Sequence, residues 1–298
     1  MVYLFTGEND FAVREALKEL ERSLGISAEH HSGAELTMAQ LPDLLMGVSL
    51  FTVQRLVVLD RLSENTSLWQ KLPDWVSRIA NDSTVVFVEP KPDKRTTAYK
   101  ALKANATVRE FPLWTERDTS LAKQWVIERA KAHQLPIDTR TAAHLVERVG
   151  VDQWRLSSAL DTLSLLDAIT ITIIDEVIPA TLSENVFQLF EVALKGDKDR
   201  VAQMIATLSL QDDPYALFAL LSSQVQTLAA IIFKADGDDP VKDFAIHPFV
   251  ASKLTQQAKR FTKADSAHML TLFAKADADL KRSRGEPWVV VEKLLLSL

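Results

Sequence analysis

A chain of 298 residues, 47% hydrophobic and 25% charged, has the composition of a folded protein and a length that suits about two domains, with one or three also compatible. Its 34 basic and 40 acidic residues leave a net charge of −6, and no segment distinguished below is net basic, which argues against an autonomous tight DNA-binding module. The absence of cysteine excludes disulfides, thiolate zinc sites and cysteine nucleophiles, and fits a reducing compartment.

The opening Met1-Val2-Tyr3-Leu4-Phe5-Thr6-Gly7-Glu8 has no basic leader and reaches charge too early for a signal peptide. No apolar run reads as long as the roughly 20 residues that a bilayer requires. A cytoplasmic protein without membrane contact is the expectation.

In chain order, Val2 to Thr6 is a short apolar run stopped by Gly7, the signal of a strand and turn. Asn9 or Asp10 then caps a helix with Phe11, Ala12, Ala16, Leu17, Leu20 and Leu24 at helical spacing. His30-His31 reads as an exposed loop, and lacks the third ligand that a zinc site needs. A second helix is expected over 37–47. Arg55 to Asp60 and Thr84 to Val88 are continuously apolar, as strands covered on both faces are, with a shorter strand over 107–111. Between them, Leu68, Leu72, Trp75, Val76 and Ile79 form one helical stripe. Strands alternating with helices imply a mainly parallel sheet, so residues 1–118 read as an α/β domain.

Pro112-Leu113-Trp114 ends that pattern. Residues 119–182 contain small amphipathic helices, with Thr172-Ile173-Ile174-Asp175 read as a capping box. Residues 183–298 are helical throughout, and Asp213-Pro214 forms an N-cap and N1 pair opening a strongly apolar helix to Phe233. The fold class is therefore α/β plus α in three parts: 1–118, 119–182 and 183–298.

A strand, glycine turn and helix at the N-terminus is where a phosphate-binding loop belongs. The Walker A pattern is Gly, four residues, then Gly-Lys-Ser/Thr. Here Ala12 and Val13 stand where Gly and Lys belong, Arg14 replaces the magnesium-binding hydroxyl, and Glu8 and Asp10 bring negative charge to the helix N-terminus. Val57-Val58-Leu59-Asp60 is like a Walker B strand, but Arg61 follows in place of the usual Glu. Neither a nucleotide cofactor, nor a metal, nor ATP hydrolysis by this chain is expected. No G-x-S-x-G or H-E-x-x-H motif is present.

Four stretches in order along the chain carry a resemblance: Tyr3 to Phe11, Ser49 to Leu59, Lys94 to Leu102 leading to Val108–Leu113, and His247-Pro248-Phe249-Val250 followed by Ala276 to Lys281. Together they resemble the delta subunit of the bacterial DNA polymerase III clamp loader. The resemblance implies an AAA+-like domain with a degenerate nucleotide site, a small helical lid and a helical collar for oligomerisation. It implies a subunit that binds and opens the beta sliding clamp for loading onto primed DNA, while the gamma/tau and delta-prime neighbours complete the loader. By the same resemblance Leu50 and Phe51, with Val48 beside them, enter a hydrophobic pocket of the clamp. The alternative for that trio is ordinary core at a helix–strand junction. Lys94, Arg95 and Lys100 are candidate DNA-phosphate contacts or a solvated face. A delta-prime-type subunit is disfavoured by the lack of cysteine, an active motor by the missing lysine, and an unrelated helical adaptor by the ordered likeness.

Overall fold

The computed structural model describes residues 1–46, 54–79, 83–166, 168–235, 237–243 and 248–298. The chain divides into two compact units, Met1–Thr115 and Glu116–Leu298.

The first unit runs β1 Val2–Thr6, α1 Asp10–Leu24, β2 Glu29–Ser32, α2 Leu41–Met46, β3 Arg55–Asp60, α3 Thr66–Lys71, α4 Pro73–Val76, β4 Ser83–Glu89, α5 Thr97–Asn105 and β5 Thr107–Glu110. The five strands form one sheet in the order β2-β3-β4-β1-β5, and every pairing is parallel. Side chains alternate across a strand, so each apolar run serves two cores. Leu4, Val57, Leu59, Val85 and Phe87 pack on one face against α2 to α5, through Leu45, Leu68, Val76 and Leu102 among others. Phe5, Leu56, Val58, Val86 and Val88 face the other way and are covered by Val13 and Ala16 of α1. Continuous hydrophobicity in β3 and β4 is thus the sequence signature of a strand buried on both sides.

The second unit contains α6 Thr119–Ala132, α7 Thr139–Val149, α8 Gln153–Leu163 and α9 Ile171–Val177, then α10 Leu182–Leu194, α11 Lys198–Leu208, α12 Pro214–Phe233, α13 Pro240–Asp243, α14 Pro248–Ala258, α15 Lys263–Lys281 and α16 Pro287–Leu295. One core gathers α10, α11, α12, α15 and α16 around Phe190, Leu217, Leu221, Phe273 and Val291. Asp213 caps α12 from the side chain, accepting from the Ala216 N–H at 2.8 Å, with Pro214 at the first helical position.

Four expectations are corrected. His30 and His31 lie not in a loop but on β2, a polar edge strand held to β3 by its backbone, which carries no apolar alternation to announce it. The stripe from Leu68 to Ile79 is two short helices, because Pro73 lacks the N–H that would continue the first. The cap of α9 is Thr170, which accepts from Ile173 N–H at 3.2 Å; Asp175 instead receives Arg148 at 2.9 Å and contacts His144 at 2.8 Å. Finally, α12 is a 20-residue helix that, though not an unbroken apolar run, has a mean hydropathy high enough to cross a membrane by length and composition. Its Leu217, Leu221, Val225 and Leu228 are buried in the helical core, so its hydrophobicity is used in packing against α10, α14 and α15.

One backbone position closes the sheet. Gly7 has φ +108°, and a Cβ there would stand 2.0 Å from the Phe111 carbonyl oxygen. Gly7→Ala is therefore expected to lower the unfolding free energy by about 2–4 kcal/mol in denaturant titration, combining backbone strain with displacement of the 111 backbone. Gly25→Ala, at φ +68° with nothing within 4 Å of the added methyl, is the control and should cost only about 1 kcal/mol.

Candidate functional site

Because all strands are parallel, their C-terminal ends share one edge of the sheet, where Thr6 stands in register with Glu89 and Glu110, and Ser32 with Asp60, which pairs with Val88 one residue before Glu89. Ligands of open α/β sheets bind at this edge. A cavity of about 480 Å³ opens there, lined by the turn after β1, the end of β2 and the Asp60-Arg61 corner.

A nucleoside triphosphate at the turn after β1 would need free backbone N–H donors and a cation for its phosphates. The donors are committed within the chain. Gly7 N–H donates to the Pro90 carbonyl at 3.1 Å, and Asn9 N–H to the Phe111 carbonyl at 3.1 Å. Phe11 N–H donates to the Asp10 carboxylate at 2.9 Å and Ala12 N–H to the Asn9 side chain at 3.0 Å. Asn9 also reaches across to the Pro112 carbonyl at 3.3 Å. Lys91, near the turn, lies 2.7 Å from Glu8. The Phe111 carbonyl, an acceptor supplied by the chain itself, fills the space beside Gly7. The residues present do not fit a bound triphosphate.

Two acids at this edge have altered proton affinity. Burial raises the Asp60 carboxyl above its ordinary value, against the pull of Arg61. Glu89, fully enclosed at the end of β4, is pushed up to about 7 by burial, although Ser63 donates to it twice, from its backbone N–H at 3.1 Å and its hydroxyl at 2.5 Å. Sequence reasoning missed Glu89. The available signal was an acid closing an otherwise apolar strand, the same pattern that drew attention to Asp60. Among the described residues, no group of three or more His, Asp or Glu side chains is arranged to hold a metal ion.

The apolar trio Val48, Leu50 and Phe51 lies outside the described residues. Its two flanks are well defined. Leu41, Leu44 and Leu45 of α2 are buried on one side, and β3 begins at Arg55 on the other. The Arg55 guanidinium grips both Glu29 carboxylate oxygens, at 2.9 and 2.6 Å, and donates to the Asp43 carbonyl at 3.3 Å. This two-pronged bond ties the start of β3 to β2 and α2, and it holds the Glu29 carboxyl below its usual range. The segment 47–53 thus leaves and rejoins a fixed base.

The basic group is less coherent. Arg95 is exposed and forks onto Asp93 at 3.0 and 2.9 Å; Lys94 lies 3.7 Å from Glu110; Lys100 is exposed one helical turn further on, in α5. Lys94 and Arg95 therefore each have an acid beside them, and their local field is weaker than the run of cations suggests.

Comparison with known proteins bears on both units. A sequence model described as DNA polymerase III, delta subunit, matches residues 3–111, and one described as the C-terminal domain of the same subunit matches 183–298. The DNA polymerase III subunit delta of Bacillus subtilis (strain 168) is 24% identical over 253 residues, spanning 80% of this chain and 70% of that one. The solved structure of the Bacillus subtilis DNA clamp loader delta protein superposes with a TM-score of 0.59 at 19% identity, covering 99% of this chain and 94% of the other. That superposition speaks for the fold, a parallel five-stranded α/β unit followed by helices. The two sequence matches fall in family order on the α/β unit and on the helical tail, and with the shared fold they make this chain a member of the DNA polymerase III delta subunit family.

Proposed function

We propose that this chain binds the sliding clamp and holds one of its interfaces open for loading onto primed DNA, without hydrolysing ATP itself. The observation that carries the reading is the match of both ends of the chain to the delta subunit family. The committed donors of the Gly7 turn support the non-hydrolysing half of it, since phosphoryl transfer needs cradled phosphates and a lysine that this turn does not offer.

In this reading Leu50 and Phe51, assisted by Val48, enter an apolar pocket on the clamp. Two buried side chains of this kind contribute about 1.5–3 kcal/mol each, enough to anchor an interface. The Arg55 bonds to Glu29 and Asp43 support it by fixing the base from which that segment departs. Residues 119–182 serve as lid and 183–298 as collar, the collar joining the gamma/tau and delta-prime subunits in a cytoplasmic assembly. Lys94, Arg95 and Lys100 are secondary phosphate contacts that act only within that assembly, because Lys94 and Arg95 must first release Glu110 and Asp93.

Two measurements test this. In titration calorimetry with the cognate clamp, the wild-type chain should form a complex that Leu50→Ala with Phe51→Ala weakens on the order of 100-fold. An undiminished complex from the double variant would remove those residues from the interface, and no wild-type complex would remove the function. With millimolar Mg-ATP the isolated chain should show no shift in melting temperature, since ligand that binds the folded state must raise it; a saturable rise contradicts the reading of the Gly7 turn.

A further inference from the structure

The turn after β3 is held by an unusual set of tethers. Arg61 adopts a left-handed backbone, φ 53°, uncommon for a residue other than glycine. Its N–H donates to the Val88 carbonyl at 2.8 Å. Leu62 is fully buried, and its Cα lies against Gly33, where an added Cβ would meet it at 2.3 Å. Asn65 donates to the carbonyls of Gly33 and Leu36 at 3.3 and 3.0 Å, and its side chain caps α3. Between these tethers, Ser63 gives both its donors to Glu89, whose residue is 0% exposed.

Among the described residues, the Glu89 carboxyl has no ion-pair partner. From β3 and the turn, Asp60, Arg61 and Glu64 face this edge, and Arg61 is shared between Asp60 at 4.0 Å and Glu64 at 3.8 Å. From the β1 and β4 loops, Glu8 and Lys91 are paired with one another at 2.7 Å. From β2, His30 and His31 border the same cavity, together with Asp10 and Arg14 of α1. The charge that acts on Glu89 is that of Asp60, of like sign. The Ser63 donors and the Leu62 N–H favour the ionised carboxylate but do not offset its burial beside another acid, a cost that access of water would relieve.

We propose that Glu89 is a proton-linked latch: neutral, it holds the Arg61–Asn65 turn to the C-terminal edge of the sheet, and its ionisation loosens that turn and the adjoining wall of the cavity. The sign follows from the raised proton affinity of the folded state. Glu89 sits at about 7 against an ordinary 4.5, so the folded state binds more protons between those values. The latch is fully effective below about pH 4.5, weakens as the pH rises, and is released above about 7.

Amide hydrogen exchange of the full chain reads this directly. After correction for the intrinsic pH dependence of exchange, protection of the Leu62 and Ser63 amides should fall by more than roughly tenfold from pH 5.5 to 8. Glu89→Gln keeps an acceptor for Ser63 but no titration, and should hold protection level over that range. Ser63→Ala removes a donor that favours the ionised form, and should move the midpoint to higher pH. A fall in protection that persists in Glu89→Gln, or its absence in the wild type, overturns the latch. If Glu89→Gln does not fold, the Ser63→Ala midpoint decides, and an unmoved or lowered midpoint overturns it.

Discussion

The seating of the Gly7 turn against the Phe111 backbone constrains most of what surrounds it. β1 is flanked by β4 and β5, so the chain leaving it must turn at once between two strands. Gly7 gives its N–H to Pro90 beyond β4, while Phe111 beyond β5 donates to Thr6 and accepts from Asn9. These bonds close the sheet edge, set the start of α1 and use the donors that a phosphate would otherwise take. The lack of nucleotide fit is therefore more than the missing lysine and hydroxyl. The same space is filled by the chain's own carbonyl, and the turn is stable for that reason.

The neighbouring acids follow from the same geometry. Parallel strands bring Asp60 and Glu89 to one edge, where Lys91 is engaged by Glu8, and Arg61 by Glu64 and Asp60 itself. At Glu89 the charge is disfavoured by burial, whereas Asp60 keeps Arg61 beside it. The segment proposed to meet the clamp departs from the start of β3, with Arg55, Glu29 and Asp43 providing its footing.

Legibility varied with the physical signal. β3 and β4 were readable because burial on two faces demands uninterrupted Leu, Val and Phe, and α12 because Asp213-Pro214 marks its start. β2 was not, since Glu-His-His-Ser contributes backbone bonds to a sheet edge and no apolar side chain to a core. The α9 cap went to Thr170 because Asp175 had partners on α7 that adjacency in sequence does not reveal. Of the candidate site, the defective phosphate loop could be read from Ala12, Val13 and Arg14, whereas the replacement of the phosphate by Phe111 depends on contacts about a hundred residues apart.

By itself the sequence determined that β3 and β4 are buried, where α1 and α12 begin, the α/β-then-helical order and the absence of the lysine and hydroxyl of a phosphate loop. These are local properties, written in periodicity, caps and single residue identities. The tertiary structure alone decided that Phe111 fills the Gly7 turn, that Arg55 pins Asp43 and Glu29, and that Glu89 is sealed against Ser63. Each depends on bringing distant backbone and side-chain groups within hydrogen-bonding distance, and on the loss of solvent that follows. Those are consequences of strand order and packing, which no short window of sequence contains.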